Sequence, residues 1–518
     1  MSFPTPENMP DLNLSTPERE GANSSVEQNE ALLGGWIKRL PKDDLEKYTE
    51  LYLDALKGFN QTSSNEQQQS IMLDLYRAPL NDLLFSLTPF KLSQIYPDLN
   101  DRNNIIDALT ELMAELALGY KKLVIESGKK IANLTRNPIA IFAINRACEQ
   151  LGYMALHAYK FNREVPNKVF NELHQLYQLA LLAEVEKKIP FINQRQRLQA
   201  KSSFKERYCQ ILLISISNPY GLKSGEVLHA YHIMQQFSVA AQIAPLPMGA
   251  EVVAGQFYIN CLADKTPLPS ELPMLENQTQ PPTLVLDTKP AIGIVDSLLK
   301  QASVSIESAE AIDRNVLKQL IPYFNTSYER KQKRMPVTGN AQVCLTTGLE
   351  AIHKTLMDTR SLPDDEHVAQ DLSWDILNKN KTGYLLCRQD IVGNQELNVG
   401  DFVAISEVNS TEKTLTKLAC IRWIKTDFNN KTKLGLDIIE GEPMAVRYSL
   451  DSMSKIRPAI LLPETSQAAS LITMAGVFKR DKTIHIIPKK KRFQLNIMLN
   501  RLLNKNASFE RFTFRDVM

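Results

Sequence analysis

From Glu30 to Ala244 the apolar residues recur at three- and four-residue steps. Leu45, Tyr48, Tyr52, Ala55, Leu56 and Phe59 form one such series. Ile105, Leu109, Leu112, Met113, Leu116 and Tyr120 form a second, and Val169, Phe170, Leu173, Leu176, Tyr177, Ala180 and Leu181 a third. This period puts each series on one face of an α-helix. Asn60 to Gln69 is a polar break, and Pro79, Pro89, Pro97, Pro138, Pro166 and Pro190 fall where helices are expected to start or join. The pattern predicts a bundle of about seven to nine helices of ordinary length. Past Pro245 it changes. Prolines become frequent up to Pro282, Glu251 to Leu262 alternates weakly, and Leu284 to Leu286 reads as a short strand. Ile292 to Ala302 and Asp313 to Ile321 read as short helices. Beyond Tyr328 a two-residue period dominates, in Leu415 to Lys425, Lys433 to Ile439, Ala459 to Leu462, Ser470 to Met474, Thr483 to Ile487 and Phe493 to Met498. Leu349 to Leu356 is a helical exception.

This divides the chain into a disordered tail (1–28), a helical domain (29–245), a mixed connecting region (246–325), a β-rich domain (326–448) and a small C-terminal β unit (449–518). The tail is rich in Pro, Ser, Asn and Glu, and buries too little apolar surface to offset its ordering entropy. Composition adds mainly exclusions. The 518 residues are 43% hydrophobic and 23% charged, as in an ordinary soluble globular chain. The net charge of +2 gives no bulk electrostatic reason to expect nucleic acid. Cys148, Cys209, Cys261, Cys344, Cys387 and Cys420 lack CxxC spacing, which argues against a zinc site or a disulfide framework. No signal peptide or membrane-length apolar run is evident, so a cytoplasmic protein without a membrane span is expected.

The candidate chemistry lies in the β-rich domain. Arg330-Lys331-Gln332-Lys333-Arg334 places two arginines four residues apart. Asn378-Lys379-Asn380-Lys381-Thr382-Gly383 is a polar turn ending in glycine. Arginine pairs two-for-two with phosphate oxygens or the O6/N7 edge of guanine, and its plane stacks on bases. An asparagine amide complements a guanine edge, and glycine permits a close backbone approach. The bland readings stand beside these: a solvated basic run and an ordinary hairpin turn.

The order Arg-x-x-x-Arg, a strand, then (Asp/Asn)-x-Ser-x-x-Gly resembles the PilZ domain, a small β-barrel that binds the bacterial second messenger cyclic di-GMP. Asn398-Val399-Gly400-Asp401-Phe402-Val403 looks like that family's turn into its fourth strand. Ala419 to Ile424 with Leu434 to Ile438 resembles its closing hairpin. Asn380 stands where the family has Ser, and about forty residues separate the first strand from the turn, more than a usual loop. The expected fold is α+β and multidomain: a helical N-terminal bundle, a PilZ-like antiparallel β-barrel and a small C-terminal β unit. The resemblance implies a cyclic di-GMP receptor with Arg330, Arg334, Asn378, Asn380 and Gly383 at the ligand, no cofactor beyond that ligand, and a protein partner reached through the helical domain. The alternative is a degenerate barrel serving as an interaction adaptor.

Other clusters read as structural. Glu226, His229 and His232 share a helix face, but no second helix offers the matching Glu-x-x-His of a metal-carboxylate site. Lys489-Lys490-Lys491-Arg492 reads as a solubilising guard on an edge strand. Trp423 and Trp36 read as packing residues. No Walker, GxSxG or HExxH sequence is present, and no catalytic residue is expected.

Overall fold

The computed structural model describes residues 14–15, 27, 29–62, 65–127, 131–191, 202–223, 225–246, 252–269, 283–301, 310–325, 335–337, 341–357, 373–389, 397–407, 416–451, 454–488, 495–506 and 508–517. The chain forms two compact units, Met1–Glu329 and Arg330–Met518.

The first unit begins with ten α-helices among the described residues: α1 (Glu30–Arg39), α2 (Leu45–Gln61), α3 (Glu66–Ser86), α4 (Pro89–Ile95), α5 (Leu99–Ser127), α6 (Ile131–Arg136), α7 (Pro138–Lys160), α8 (Val169–Leu182), α9 (Phe204–Ile216) and α10 (Glu226–Ala240). Their starts are set locally. Side chains of Asn29, Asp44, Asn65, Thr88 and Asn137 accept from first-turn N–H groups, and Ser203 with Glu206 forms a reciprocal capping box. Pro89 and Pro138 occupy first helical positions, where no N–H is needed. Pro79 instead lies inside α3, flanked by buried Tyr76, Leu80 and Leu84, whose packing outweighs the lost backbone bond.

Across the bundle, Glu149 on α7 gathers three arginines. Its carboxylate meets Arg146 Nη1 at 2.9 Å, Arg77 Nη1 at 3.3 Å and Arg207 Nη1. Burial alone would raise the Glu149 pKa; the three guanidinium groups outweigh it and hold the group ionised, well below the usual carboxylate range. This network ties α3, α7 and α9 together.

The bundle continues without a break into a four-stranded antiparallel sheet, ordered β1 (Gln242–Pro245), β4 (Thr283–Asp287), β2 (Gln256–Asn260), β3 (Leu268–Pro269). Two further helices follow, α11 (Lys289–Gln301) and α12 (Glu310–Phe324). The residues read from sequence as a connecting region thus hold three of these strands and both helices. Phe257, Ile259, Leu284, Leu286, Val316, Leu320 and Phe324 join the same apolar core as the helices, and the Thr288 hydroxyl bridges Gly255 O and Phe324 O at 2.8 and 2.9 Å. Part of the expected disordered tail is also placed. Leu14 is buried, and Ser15 N–H donates to Glu172, which also holds Lys121. One apolar side chain and one charged acceptor suffice to anchor that point. Among the described residues no helix is long and apolar enough to cross a membrane.

The second unit contains two barrels. In the first, β7 (Ser373–Asn380), β6 (Gln342–Thr347), β9 (Phe402–Glu407), β10 (Thr416–Thr426), β11 (Lys431–Ile439) and β8 (Gly383–Gln389) follow in spatial order, and β7 pairs with β8 to close the ring. A short β5 (Met335–Pro336) is added outside β7. Inward-facing Val343, Leu345, Trp374, Ile376, Tyr384, Leu386, Val403, Ile405, Ala419, Ile421, Leu434 and Leu436 fill it. The second barrel closes β12 (Met444–Ser449), β13 (Arg457–Leu462), β14 (Ser470–Met474), β17 (Phe509–Asp516), β16 (Leu495–Lys505) and β15 (Thr483–Pro488). The boundary expected between 448 and 449 therefore falls inside β12, and the small C-terminal β unit is a closed barrel.

The barrels meet through their outer faces. Phe402, Ala404, Leu418 and Cys420 of the first pack with Ile460, Leu462, Ile472 and Phe509 of the second. The rings of Phe402 and Phe509 stand 4.0 Å apart. The inserted residues that depart from the PilZ pattern include α13 (Leu349–Met357), which buries Ile352 in this junction and directs His353 Nε2 to Val446 O at 3.0 Å. Helix α13 is a wedge between the barrels.

Candidate functional site

β7 turns into β8 through Lys381 and Thr382 alone. The Asn380 side-chain oxygen holds this turn, accepting from Thr382 N at 3.0 Å and from the Thr382 hydroxyl at 3.2 Å. Gly383 pairs with Asn380 on one side and Asp437 on the other, and is buried strand. Positive φ occurs elsewhere in this barrel, at Gly348, Gly400 and Asn430. Gly400 serves the turn into β9, where Asn398 N–H donates to Asp401.

Asn378 reaches the outer surface because of a bulge. Ile376 faces the barrel core, so strict alternation would send Asn378 inward too. The register shifts between them, pairing Ile376 with Leu386 but Asn378 with Leu385. One extra residue reverses the face of everything after it. Asn378 and Asn380 therefore share the outer face, and Lys379 joins Tyr384 on the inner one, its Nζ 5.9 Å from that ring. Lys417 Nζ approaches the same ring at 5.8 Å. The Asn378 side-chain oxygen is buried and has no hydrogen-bond partner among the described residues.

A second bulge lies on β10. Ile421 pairs with Leu436 and Trp423 with Gly435, leaving Arg422 as the extra residue. Its Nε meets Asp437 Oδ2 at 2.6 Å, with both side chains about half exposed. Trp423 is turned out of the core and lies over Gly435. A Cβ on Gly435 would fall 2.0 Å from the indole Nε1. Cross-strand partners share a face, so the outer surface carries two rows: Asn378, Leu385, Gly435, Trp423, and Asn380, Gly383, Asp437. The sequence reading chose the asparagines and the glycine by residue type, and the strand pairing sets all three on one outer face. It read Trp423 as a packing residue; that the bulge at Arg422 turns this ring outward shows only in the strand pairing.

Arg330 and Arg334 lie outside the described residues, as do Lys489 to Arg492. Met335, which follows Arg334 in the chain, pairs with Lys379, and Pro336 pairs with Asn378. On α10, the Glu226 carboxylate accepts from Lys223 N–H at 2.8 Å, and His232 packs 5.8 Å from Phe85. Among the described residues no group of three His, Cys, Asp or Glu side chains is arranged to hold a metal. Trp36 packs 6.2 Å from Tyr52.

The sequence was compared with known families and proteins. The model for the N-terminal domain of the cyclic-di-GMP receptor FimW matches residues 31–247, and that for the FimW C-terminal β-barrel domain matches residues 445–517. The cyclic-di-GMP receptor FimW of Pseudomonas aeruginosa is 22% identical over 564 aligned positions, spanning 93% of this chain and 89% of the relative. The comparisons point to the FimW family. No solved structure matches. The first matched segment ends just past β1, and the second coincides with the second barrel. The first barrel falls between them, outside both matched segments.

Proposed function

We propose that this chain is a cyclic di-GMP receptor that holds the dinucleotide on the outer face of its first barrel, at the β7–β8 hairpin. The observation that carries the reading is the similarity, along nearly the whole chain, to a protein described as a cyclic-di-GMP receptor. The site supports it. The basic run ends at Arg334, one peptide before the strand that pairs beside Lys379 and Asn378. Arg330 and Arg334 would clamp phosphate and stack on or fork onto guanine. Asn378, with its buried unpaired oxygen, would meet a guanine edge. Gly383 carries no side chain where the backbone approaches the ligand. Asn380 shapes the turn that presents these groups.

We read the arrangement as one that recognises rather than transforms, in a receptor expected to act in the cytoplasm. Residues 330–334 lie in sequence between the helical domain and the barrel. Ligand held by this segment would change how the helical domain meets a protein partner. The test is titration of the full chain with cyclic di-GMP. Arg330→Ala and Arg334→Ala should each weaken binding by roughly 1.5–3 kcal/mol, the range for hydrogen bonds to charged groups. Parental affinity in both variants would refute the clamp.

A further inference from the structure

Helix α8 begins without a capping side chain of its own. Lys168, at its N-cap, has φ +70° and makes no side-chain cap bond. Asp264, from the loop between β2 and β3, caps the helix instead, accepting from the N–H groups of Lys168, Phe170 and Asn171. Glu172, in the same first turn, is therefore left for another task. It is 3% exposed, and its two oxygens bond different partners. Oε2 meets the Nζ of buried Lys121 on α5 at 2.7 Å. Oε1 accepts from the backbone N–H of Ser15 at 2.8 Å. Leu14, the residue before, is buried in the apolar core of the helical domain.

Three features mark this contact as a ligand seated in a site. Residues 16–29 separate it from α1, and no large apolar side chain follows Leu14 until Val26, so the segment is held at one point. The bond is made to main chain. Glu172 meets a backbone N–H that any residue except proline supplies, while burial of Leu14 selects the side chain before it. Peptide recognition divides its work in this way, with main-chain bonds for hold and a buried side chain for selectivity. Finally, without the segment Glu172 Oε1 would be a buried charged acceptor with no other donor among the described residues, a state that costs free energy until a donor arrives. The place is built to be filled.

We propose that the junction of α5 and α8 at Lys121 and Glu172 is a peptide-binding site, and that its occupant is the chain's own N-terminal segment, held in cis by Leu14 and the Ser15 N–H. The ligand class is a short peptide with a large apolar side chain followed by a residue that has a backbone N–H. A covalently attached ligand acts at an effective concentration on the order of millimolar, so an added peptide enters only when the resident segment is released. This inference stands independently of the cyclic di-GMP reading.

The experiment uses the full chain and a fluorescein-labelled synthetic peptide of residues 8–19, read by fluorescence anisotropy. Leu14→Asp cannot keep its side chain buried beside Glu172, and Ser15→Pro removes the N–H, so either variant should release the resident segment. Each should then bind the peptide roughly tenfold or more tightly than the parent chain does. Changes made in the peptide leave the protein untouched. The Ser15→Ala peptide should bind like the original, and the Ser15→Pro and Leu14→Asp peptides should each lose roughly tenfold or more, as expected for a lost bond to a buried carboxylate or a lost apolar anchor. Released variants that bind the peptide no better than the parent, or a Ser15→Pro peptide that binds like the original, overturn the site. Concentration-dependent dimers of the parent that Leu14→Asp abolishes overturn occupancy in cis in favour of exchange between two copies.

Discussion

Replacing Gly435 with alanine perturbs the site at a point where the consequence can be calculated. The new Cβ would stand 2.0 Å from the Trp423 Nε1 atom. Ordinary non-bonded contacts sit near 3.5–4.0 Å, so the ring must retreat by about 1.5 Å or leave. Retreat within the packed face is overpacking, which costs about 1–3 kcal/mol. Departure forfeits the buried half of an aromatic side chain, roughly 100 Å² at 25 cal/mol per Å², or about 2.5 kcal/mol. Alanine returns about 0.4–1 kcal/mol by restricting the unfolded chain. The net destabilisation of the first barrel is therefore about 1–2 kcal/mol. Urea unfolding followed by tryptophan emission measures it, and the native emission of Gly435→Ala should already differ from the parent's. Trp423→Ala combined with Gly435→Ala removes the clash, so the pair should be less destabilised than the sum of the singles. A single variant with parental stability and emission, or strictly additive effects in the pair, would refute the placement of the indole.

Three other outcomes follow from the geometry. Asn380→Leu removes the acceptor for both Thr382 bonds and should cost about 0.5–1.5 kcal/mol per bond lost, whereas Asn380→Ser should retain much of the turn; urea midpoints separate them. Ile352→Ala empties the α13 wedge between the barrels and should cost about 2–5 kcal/mol, seen as a lower melting temperature for the barrel unit. His174, bonded to Tyr208 OH and Lys265 O, has its pKa lowered to about 4 by burial. Between its ordinary value near 6.5 and about 4 the unfolded chain binds a proton that the folded chain does not. Helical-domain stability should therefore fall as pH drops through that window, by about 3 kcal/mol from this group, and less steeply in His174→Gln.

The legible parts of the chain were those where one physical signal acted alone. The helices declared themselves because side-chain period and caps agree, as at Asp44 and the Tyr48–Tyr52–Leu56 face. The β10–β11 hairpin alternated clearly. The second barrel's closure was hidden because β17 breaks alternation, with Phe509, Glu510, Arg511 and Phe512 buried in succession. Its charged members are satisfied only in three dimensions. Glu510 accepts from Val477 and Phe478 N–H at 2.9 and 2.8 Å, and Arg511 Nε donates to Ser470 at 3.0 Å. The same holds at the site. Asn378 and Gly383 could be chosen by residue type, but the face Asn378 occupies depends on the bulge after Ile376, and the outward placement of Trp423 depends on a second bulge and on a glycine in the neighbouring strand. The inserted helix looked like a departure from the family pattern because its purpose, filling the space between two barrels, lies outside the first barrel.

The central claim is that the first barrel receives cyclic di-GMP through guanine-reading contacts. Isothermal titration of the full chain with cyclic di-GMP, and in parallel with cyclic di-AMP, tests it most directly. Guanine and adenine exchange donor and acceptor at position 6, and a site built to bond one edge rejects the other. The account predicts saturable binding of cyclic di-GMP that weakens as salt rises, with cyclic di-AMP bound far more weakly. Absence of heat with cyclic di-GMP, or equal affinity for the two dinucleotides, would contradict it.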